Sequence, residues 1–397
     1  MLEGKHIILG VTGSIAAYKI ASLASMLKKQ KASVTVIMTK NATNFINPIT
    51  FEELTGNKCL VDTFDRNFQH NVEHVSLART ADVFLIAPAS ANVIAKAAHG
   101  IADDMLTTTL LACECPKIVA PAMNTRMYRN PVTQDNIRLL QHYGMEVITP
   151  ACGYLACGDV GEGKMPEPEL LFEYLVKALT PKDMTGINLL VTAGPTREKI
   201  DPVRYISNHS TGKMGYAIAR AAMLRGAQVT LVTGKTGLIP PVNVETIEIT
   251  SAAEMADVVK ERADRQDIII KAAAVADYRP KDISDEKIKK KDDEMSISLE
   301  RTEDILGFLG AHKKDGQFLC GFSMETENME QNSRKKLEKK NLDLIVANNL
   351  KQAGAGFGTD TNIVTLLSRE DTVQLPIMSK EDVADRLLDY ILKIRTS

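Results

Sequence analysis

The sequence has no long uninterrupted run of apolar residues. Although 44% of its 397 residues are hydrophobic, no stretch approaches the ~18 apolar residues that a membrane-spanning helix needs. The first residues, MLEGKHIILGVTG, lead directly into a predicted strand, with no charged segment followed by a cleavable apolar one. We therefore expect a cytoplasmic protein that does not enter the membrane.

Cysteine is scarce and charge is nearly balanced. Six cysteines in a chain of this length are too few for a disulfide framework, so we expect reduced thiols. The spacings Cys113-x-Cys115 and Cys152-x4-Cys157 lack the paired pattern of a zinc site. A formal net charge of −2 gives no general attraction to nucleic acid or to an anionic membrane.

What the sequence does contain is an alternation of apolar strands and helices that runs twice. The first pass predicts strands at 6–11, 33–38, 82–88, 117–120 and 146–149, and helices at 15–29, 93–99, 107–111, 131–143 and 169–178. The second pass predicts strands at 188–192, 228–232, 267–270 and 343–347, and a helix at 213–225. This order predicts an α/β protein with two doubly wound, Rossmann-like parallel-sheet domains, at 1–179 and 187–397, joined by a linker at 180–186.

Residues 151–168, ACGYLACGDVGEGKMPEP, concentrate four glycines around Cys157 and end in two prolines. So many glycines argue against a regular strand or helix, because glycine favours turns and lets the backbone approach a ligand closely. We interpret the segment as a flap that carries a reactive cysteine. The alternative is a glycine-rich surface loop whose cysteine is incidental.

Polar side chains follow the predicted strands of the first domain. The turn at Gly13 and Ser14 precedes a helix, and the free N–H groups of a helix N-terminus attract phosphate. A lone histidine such as His74 is more often structural than catalytic, and Asn124, which follows a strand and a proline, could simply cap a turn.

Six motifs in this half carry a resemblance to a known family. They are GSIAAYK (13–19), HVSL (74–77), IAPASAN (86–92), GIADD (100–104), PAMN (121–124) and GYLACGDVGEGKM (153–165). Together they resemble the flavin-dependent cysteine decarboxylases over residues 5–175. The resemblance implies a flavodoxin-like flavoprotein fold and the cofactor FMN, with contacts from Gly13, Ser14, Ile15, Thr39, Ser90 and Asn92.

The same resemblance implies roles for three side chains. His74 is the expected base, Asn124 belongs to the motif that holds the substrate carboxylate, and Cys157 is the expected proton donor. In such chemistry the flavin oxidises the substrate thiol to a thioaldehyde, whose C=S bond accepts the electrons released with CO2.

The second half contains a polar stretch, DPVRYISNHSTGKMG (201–215), that opens a predicted helix. Its Ser210 and Gly212 suit a phosphate group. The sequence 234–236, GKT, is not a Walker P-loop, because the upstream glycine is replaced by Val229. Residues 281–300 are polar and lysine-rich, and we expect a mobile, exposed arm there. That arm is either a solvated charge run or a group of lysines that closes on a polyphosphate.

The motifs AGPTRE, DPVRYISNHSTGKMG, AVADYRP, EKIKK, GFxxET and KNLDLIVAN resemble the phosphopantothenate–cysteine ligases over most of residues 187–390. The whole chain thus resembles the bacterial family in which this ligase is fused behind the decarboxylase. The resemblance implies that CTP, with Mg2+, activates phosphopantothenate as an acyl-cytidylate, which the amine of cysteine then attacks.

The resemblance also implies the ligase site and the assembly. Asn208 is expected to handle the acyl-cytidylate and Lys287 to be the catalytic lysine. We expect a homo-oligomer, a dodecamer of decarboxylase trimers and ligase dimers. The implied CTP contacts are Ser210, Gly212, Ala274, Asp277, Lys287, Asp304, Ile305, Phe322, Lys336 and Lys340, and the implied phosphopantothenate contacts are Arg204 and Asn208.

Two segments depart from the ligase pattern. Thr302 and Glu303 stand where Asn-Pro is expected, and Ser323 and Met324 stand where Ala-Ala is expected.

Three other functions compete with this interpretation. A regulatory flavoprotein would not need Cys157. An NAD-dependent oxidoreductase is disfavoured because neither βα turn reads G-x-G-x-x-G. A nucleic-acid binder would use the lysines at 287–291, but the acidic residues at 285–286 and 292–294 largely cancel their charge.

Overall fold

The computed structural model describes residues 2–64, 73–154, 158, 160–289, 295–325, 329–349 and 358–396. The chain divides into two compact units, Met1–Thr180 and Pro181–Ser397. Within the described ranges, no helix combines the length and the apolar character that crossing a membrane requires.

The first unit is built on a five-stranded parallel sheet. Its strands are β1 (His6–Val11), β2 (Ser33–Met38), β3 (Val83–Ala89), β4 (Lys117–Pro121) and β5 (Glu146–Val147). Their order is β2-β1-β3-β4-β5, and all four pairings are parallel. This is the flavodoxin-like order, so that prediction is confirmed. The order reverses between β1 and β3, which opens a crevice at the carboxyl ends of these strands.

Helices cover this sheet, and polar caps begin most of them. They are α1 (Tyr18–Lys29), α2 (Pro48–Thr55), α3 (Glu73–Thr80), α4 (Ala91–Ala98), α5 (Met105–Ala112), α6 (Thr125–Tyr128), α7 (Pro131–His142) and α8 (Pro168–Leu179). A 3-10 turn, Ile15–Ala17, precedes α1. The five helices predicted in this half are confirmed. The short helices α2, α3 and α6 were not predicted.

The glycine-rich segment corrects the sequence analysis, because much of it is regular strand. β6 (Ala151–Tyr154) and β7 (Val160–Lys164) pair as an antiparallel ribbon. A Cβ at Gly163 would lie 2.3 Å from the carbonyl oxygen of Met123, and one at Gly161 would lie 2.6 Å from Thr125 Oγ1. The glycines therefore let the ribbon lie against the turn between β4 and α6. The predicted reactive residue, Cys157, lies outside the described residues.

The strands of the second unit form one large sheet and three small ribbons. In chain order they are β8 (Asn188–Ala193), β9 (Arg197–Lys199), β10 (Tyr205–Ser207), β11 (Gln228–Thr233), β12 (Glu245–Glu248), β13 (Ile268–Lys271), β14 (Tyr278–Pro280), β15 (Leu299–Arg301), β16 (Phe318–Glu325), β17 (Leu344–Asn349), β18 (Thr361–Asn362), β19 (Val364–Ser368), β20 (Thr372–Gln374) and β21 (Met378–Ser379). The ribbons are β9–β10, β14–β15 and β18–β21.

The large sheet has eight strands in the order β12-β11-β8-β13-β16-β17-β19-β20. The first six are parallel, whereas β17 pairs with β19, and β19 with β20, in the antiparallel sense. The predicted parallel sheet is therefore confirmed in its first six strands, and the antiparallel edge is an addition that the sequence analysis did not predict. The buried strand β19 extends the core beyond β17 and returns through the short hairpin to β20, which needs no crossover helix.

Five helices complete this unit: α9 (Lys213–Leu224), α10 (Ala252–Ala263), α11 (Ile305–Ala311), α12 (Met329–Lys339) and α13 (Lys380–Thr396). Only α9 was predicted. Both ends of the lysine-rich segment 281–300 adjoin the antiparallel ribbon of β14 and β15. Residues 290–294 of that segment lie outside the described part of the chain.

Candidate active sites

The first candidate site is the crevice at the carboxyl ends of β1 and β3. The hydroxyl of Thr12, directly after β1, donates to the carbonyl oxygen of Pro88 at 2.6 Å and accepts from the N–H of Ser90 at 2.9 Å. These bonds tie the two strand ends together. Ser14 then caps the turn before α1 by accepting from the N–H of Ala16, and Ser90 caps α4. Two helix starts therefore meet at this crevice.

The crevice also contains features suited to an anionic group. The buried Oγ1 of Thr39, at the end of β2, has no hydrogen-bond partner among the described residues. A Cβ at Gly13 would lie 2.8 Å from the Cβ of Asn41, so the bare backbone there approaches its neighbour closely. Ile15 is 57% exposed, and Asn92 is also exposed. An unpaired hydroxyl beside helix starts and a glycine turn fits a bound phosphate ester.

The turn between β4 and α6 holds Asn124, another of the predicted residues. Asn124 caps α6, because its Oδ1 accepts from the N–H of Arg126 at 2.8 Å. The β6–β7 ribbon is bonded to this turn through Thr125 Oγ1, which donates to the carbonyl oxygen of Glu162 at 2.8 Å, and through Met123, whose N–H donates to Gly163. His74 lies half-buried in α3.

The second candidate site is a cavity of about 680 Å3 at the carboxyl edge of the large sheet. Ten of the residues predicted for the ligase lie in its wall: Asn208, Ser210, Gly212, Ala274, Asp277, Asp304, Ile305, Phe322, Lys336 and Lys340. Arg204 and Lys287 are outside the lining.

The start of α9 forms one wall of this cavity. Gly212 is its N-cap at a φ of 81°, and a Cβ there would lie 2.9 Å from the side chain of Thr236. Glycine is therefore required by both the backbone angle and the space. Asn208 is fixed across the wall, since its Nδ2 donates to the carbonyl oxygen of Ala274 at 2.9 Å.

The opposite wall carries lysines held in place by polar partners. Lys340 Nζ lies 3.0 Å from Asp304 Oδ1, and Lys336 Nζ donates to Ser323 Oγ at 3.1 Å. Burial alone raises the pKa of Asp304, but the N–H of Gly307 and the charge of Lys340 bring it below its ordinary value. The departure at Ser323 thus supplies a partner for Lys336.

The departure at Thr302 and Glu303 also has a structural role. Thr302 Oγ1 donates to the carbonyl oxygen of Ala276 at 2.6 Å, and the main-chain N–H of Thr302 donates to the main-chain carbonyl oxygen of Asp277 at 3.0 Å. Glu303 forms an ion pair with Lys260. The bonds of Thr302 join the β15–α11 connection to the residues just before β14, and the ion pair of Glu303 joins it to α10.

The sequence analysis missed Lys271, the last residue of β13, which lies half-buried in the cavity wall. Desolvation, and then the charge of Lys340, lower its pKa to about 8, against the opposing effects of Asp304 and Asp277. Its ammonium group makes no hydrogen bond or ion pair within the described part of the chain. A lysine that ends the apolar run Ile268–Ile270 was the available signal, because such a position lies at the ligand edge of the sheet. Other missed lining residues are Lys213, Arg301, Asn348, Asn362 and Lys380.

Metal ligands are not preassembled in the regions that the structure covers. No group of three or more His, Cys, Asp or Glu side chains among those residues is arranged to hold an ion.

Comparison with known proteins identifies two family matches and full-length relatives. The family described as "Flavoprotein" matches residues 1–180, and "DNA/pantothenate metabolism flavoprotein C-terminal domain" matches 184–394. The chain is 48% identical over 396 residues to "Coenzyme A biosynthesis bifunctional protein CoaBC" of Bacillus subtilis (strain 168), covering 98% of this chain and 97% of that one. It is 47% identical over 392 residues to the protein of the same name from Vibrio vulnificus (strain YJ016), covering 98% of each. A crystal structure of the C-terminal domain of a CoaBC protein matches with 43% identity and a TM-score of 0.47, over 54% of this chain and 100% of that chain.

Proposed function

This chain belongs to the family of bifunctional coenzyme A biosynthesis proteins, and from that premise we propose how its two sites divide the work. The protein is an enzyme with a flavoprotein decarboxylase domain and a ligase domain. Residues 187–397 couple phosphopantothenate to cysteine with CTP. Residues 1–179 then decarboxylate the resulting phosphopantothenoylcysteine to phosphopantetheine with FMN.

The excess of cationic groups in the large cavity is the observation that carries the ligase proposal. Lys213, Lys271, Lys336, Lys340, Lys380 and Arg301 line the cavity together with three carboxylates, Asp277, Glu303 and Asp304. Such a wall stabilises a triphosphate and the charge that develops when pyrophosphate leaves.

The reaction proceeds in two steps in this cavity. A carboxylate oxygen of phosphopantothenate attacks the α-phosphorus of CTP, the new P–O bond forms, and pyrophosphate leaves. The amine of cysteine then attacks the acyl carbon, loses a proton, and displaces CMP. Ser210, Gly212 and the start of α9 bind phosphate, Asn208 orients the acyl group, and Lys287 stabilises the developing charge.

We assign Lys271 to the nucleotide as well. Its ammonium group is desolvated and lacks a bonded partner among the described residues, so a phosphate oxygen would restore the interaction that burial removes. Mg2+ would enter with CTP and would neutralise part of the charge of the triphosphate.

The decarboxylase proposal rests on the crevice between β1 and β3. The turn at Gly13 and Ser14, the hydroxyl of Thr39 and the capped start of α4 at Ser90 fit the phosphate and ring edge of FMN. When bound, the flavin supplies reversible two-electron oxidation of the substrate thiol, which makes loss of CO2 possible.

The protein's own groups orient the substrate of this second step. The turn at Asn124 holds the substrate carboxylate, and His74 accepts a proton. The β6–β7 ribbon lies on that turn and excludes water, and Cys157, in the connection of the ribbon, returns a proton to the product.

Mass spectrometry of the products tests both halves together. Purified protein receives FMN, Mg2+, CTP, cysteine and phosphopantothenate, and we expect phosphopantetheine, CMP and CO2. Asn208→Asp should stop CMP release but still decarboxylate supplied phosphopantothenoylcysteine. Cys157→Ser should release CMP and accumulate an oxidised decarboxylation intermediate. No CMP from the unmodified protein would reject the ligase assignment, and phosphopantothenoylcysteine as the end product would reject the decarboxylase.

The family resemblance also leads us to infer a cytoplasmic homo-oligomer. Trimers of the decarboxylase and dimers of the ligase, combined in a dodecamer, are the expected assembly. Light scattering of the purified protein measures the mass directly, and a monomer would reject this inference.

A further inference from the structure

The turn between β9 and β10 contains a buried carboxylate that the chemistry above does not use. Asp201 is 2% exposed. Its Oδ1 accepts hydrogen bonds from the main-chain N–H groups of Val203 and Arg204, both at 2.8 Å. Its Oδ2 accepts from the Arg204 guanidinium, at 2.9 Å from Nε and 2.7 Å from Nη2. These local bonds fix the shape of the turn.

Further contacts reach the lysine-rich segment that follows β14. Ile288 donates its N–H to Asp201 Oδ2 at 3.2 Å, and its carbonyl oxygen accepts from Arg204 Nη2 at 2.6 Å. Asp201 and Arg204 therefore hold both main-chain groups of the residue next to Lys287. On the other side of Lys287, the N–H of Ser284 donates to the carbonyl oxygen of Ile200 at 3.1 Å. We call the contacts of Asp201 and Arg204 with Ile288 the Asp201 clamp.

The charge of the clamp persists at any pH used to assay a ligase. Burial by itself raises the pKa of Asp201, but hydrogen bonds from Val203, Arg204 and Ile288 outweigh it and hold the pKa well below its ordinary value. A lowered carboxyl pKa contributes stability above the ordinary pKa, and that contribution is lost only as the pH falls toward the lowered value. Asp201 is thus an anion whenever the enzyme is active.

The hairpin that carries the clamp also leads to Asn208. β10 ends at Ser207, whose Oγ donates to the carbonyl oxygen of Thr196 at 2.8 Å. Asn208 follows and is bonded to Ala274 in the cavity wall. The side chain of Lys287 is exposed and outside the cavity lining. Its reach toward the cavity therefore depends on how the neighbouring main chain is held.

We propose that Asp201 is a positioning residue that acts through Lys287. With Arg204, it fixes the main chain beside Lys287 to the hairpin that carries Asn208, so that both side chains address the same reacting carboxyl group. This inference rests on the ligase function proposed above. Orientation of this kind is catalytically large, since a misplacement of ~1 Å costs on the order of a hundredfold in rate.

The test measures CMP release by the full-length enzyme and four variants. Asp201→Asn keeps the size of the side chain but removes its charge and turns one acceptor into a donor. We expect kcat to fall on the order of tenfold to a hundredfold, with the KM for CTP changed by less than about threefold. The double variant Asp201→Asn/Lys287→Gln should be no slower than Lys287→Gln, because the two changes remove one function.

Glu198→Gln is the matched control. Glu198 is a buried carboxylate in β9, 3% exposed, and its Oε1 accepts from the N–H of Ala252 at 2.9 Å, at the start of α10. We expect a lower melting temperature with kcat retained. If Asp201→Asn does not fold, Arg204→Lys replaces it, because lysine lacks the planar fork that bridges Asp201 and Ile288. Since Arg204 is also an expected phosphopantothenate contact, the KM for phosphopantothenate is measured with kcat, and a change confined to that KM would count against the clamp.

Two results would overturn the inference while leaving the ligase function intact. One is a folded Asp201→Asn variant with the kcat of the unmodified enzyme. The other is a double variant slowed by the product of the two single losses, which would mean that Asp201 acts independently of Lys287. Absence of CMP release from the unmodified enzyme would instead reject the ligase function itself.

Discussion

Titration of Lys271 should make nucleotide binding depend on pH. With its pKa at about 8, the side chain is about 90% protonated at pH 7 and about 10% at pH 9. Only the ammonium form pairs with phosphate, and the apparent affinity scales with the competent fraction. We therefore expect the affinity for CTP to fall about tenfold between pH 7 and pH 9.

The same pKa has the opposite effect on the stability of the ligand-free protein. In the unfolded chain the pKa of a lysine is about 10.4. Between pH 8 and about pH 10.4 the unfolded state therefore binds more protons than the folded state. Stability therefore rises with pH across this window. A phosphate beside Lys271 raises its pKa again, so binding of CTP near pH 8, where the ligand-free lysine is about half protonated, should take up about half a proton.

Isothermal titration calorimetry with CTP and Mg2+, without phosphopantothenate, measures both effects. Titrations at pH 7, 8 and 9 in buffers of different ionisation enthalpy give the affinity and the protons exchanged. Lys271→Met should bind more weakly at pH 7 and lose the pH dependence. Lys314→Met, which removes an exposed lysine paired with Asp264, is the control for net charge, and its CTP affinity should depend on pH as in the unmodified protein. If the CTP affinity of Lys271→Met fell between pH 7 and pH 9 as much as that of the unmodified protein, the reasoning would be refuted.

Two further predictions concern the first unit. Gly163 has a φ of 119°, and a Cβ there would lie 2.3 Å from the carbonyl oxygen of Met123. Gly163→Ala should therefore separate the β6–β7 ribbon from the turn at Met123 and abolish decarboxylation, while CMP release by the second unit continues. In Gly153→Ala, the control, the Cβ meets nothing closer than 3.8 Å, and equal activity of the two variants would contradict the argument. Thr39→Val should weaken FMN binding about twofold to tenfold, because it removes one hydrogen bond to the cofactor. It should not lower the melting temperature of the apoprotein, because the Thr39 hydroxyl is buried and unpaired there. Fluorescence titration measures the FMN affinity, and unchanged FMN binding with a lower melting temperature would reject that role.

Local residue patterns were enough to predict the elements that repeat most regularly. The apolar runs that became β1, β2 and β8 were found because buried parallel strands are nearly continuous in hydrophobic residues. Glycine content alone misled the analysis of residues 151–168, since the same glycines serve a loop or a closely packed ribbon. Only the position of Met123 against Gly163 distinguishes the two.

The amino-acid sequence alone was enough to predict the α/β alternation, the family resemblance and ten residues that the structure places in one cavity wall, because these follow from periodicity and from motifs of adjacent residues. The tertiary structure decided the antiparallel edge at β19, the low pKa of Lys271 and the Asp201 clamp. Each depends on groups far apart in the chain. Asp201 and Ile288 are separated by 87 positions, and the pKa of Lys271 is lowered by burial and by the charge of Lys340. No local pattern specifies such a meeting, since desolvation and charge act through space.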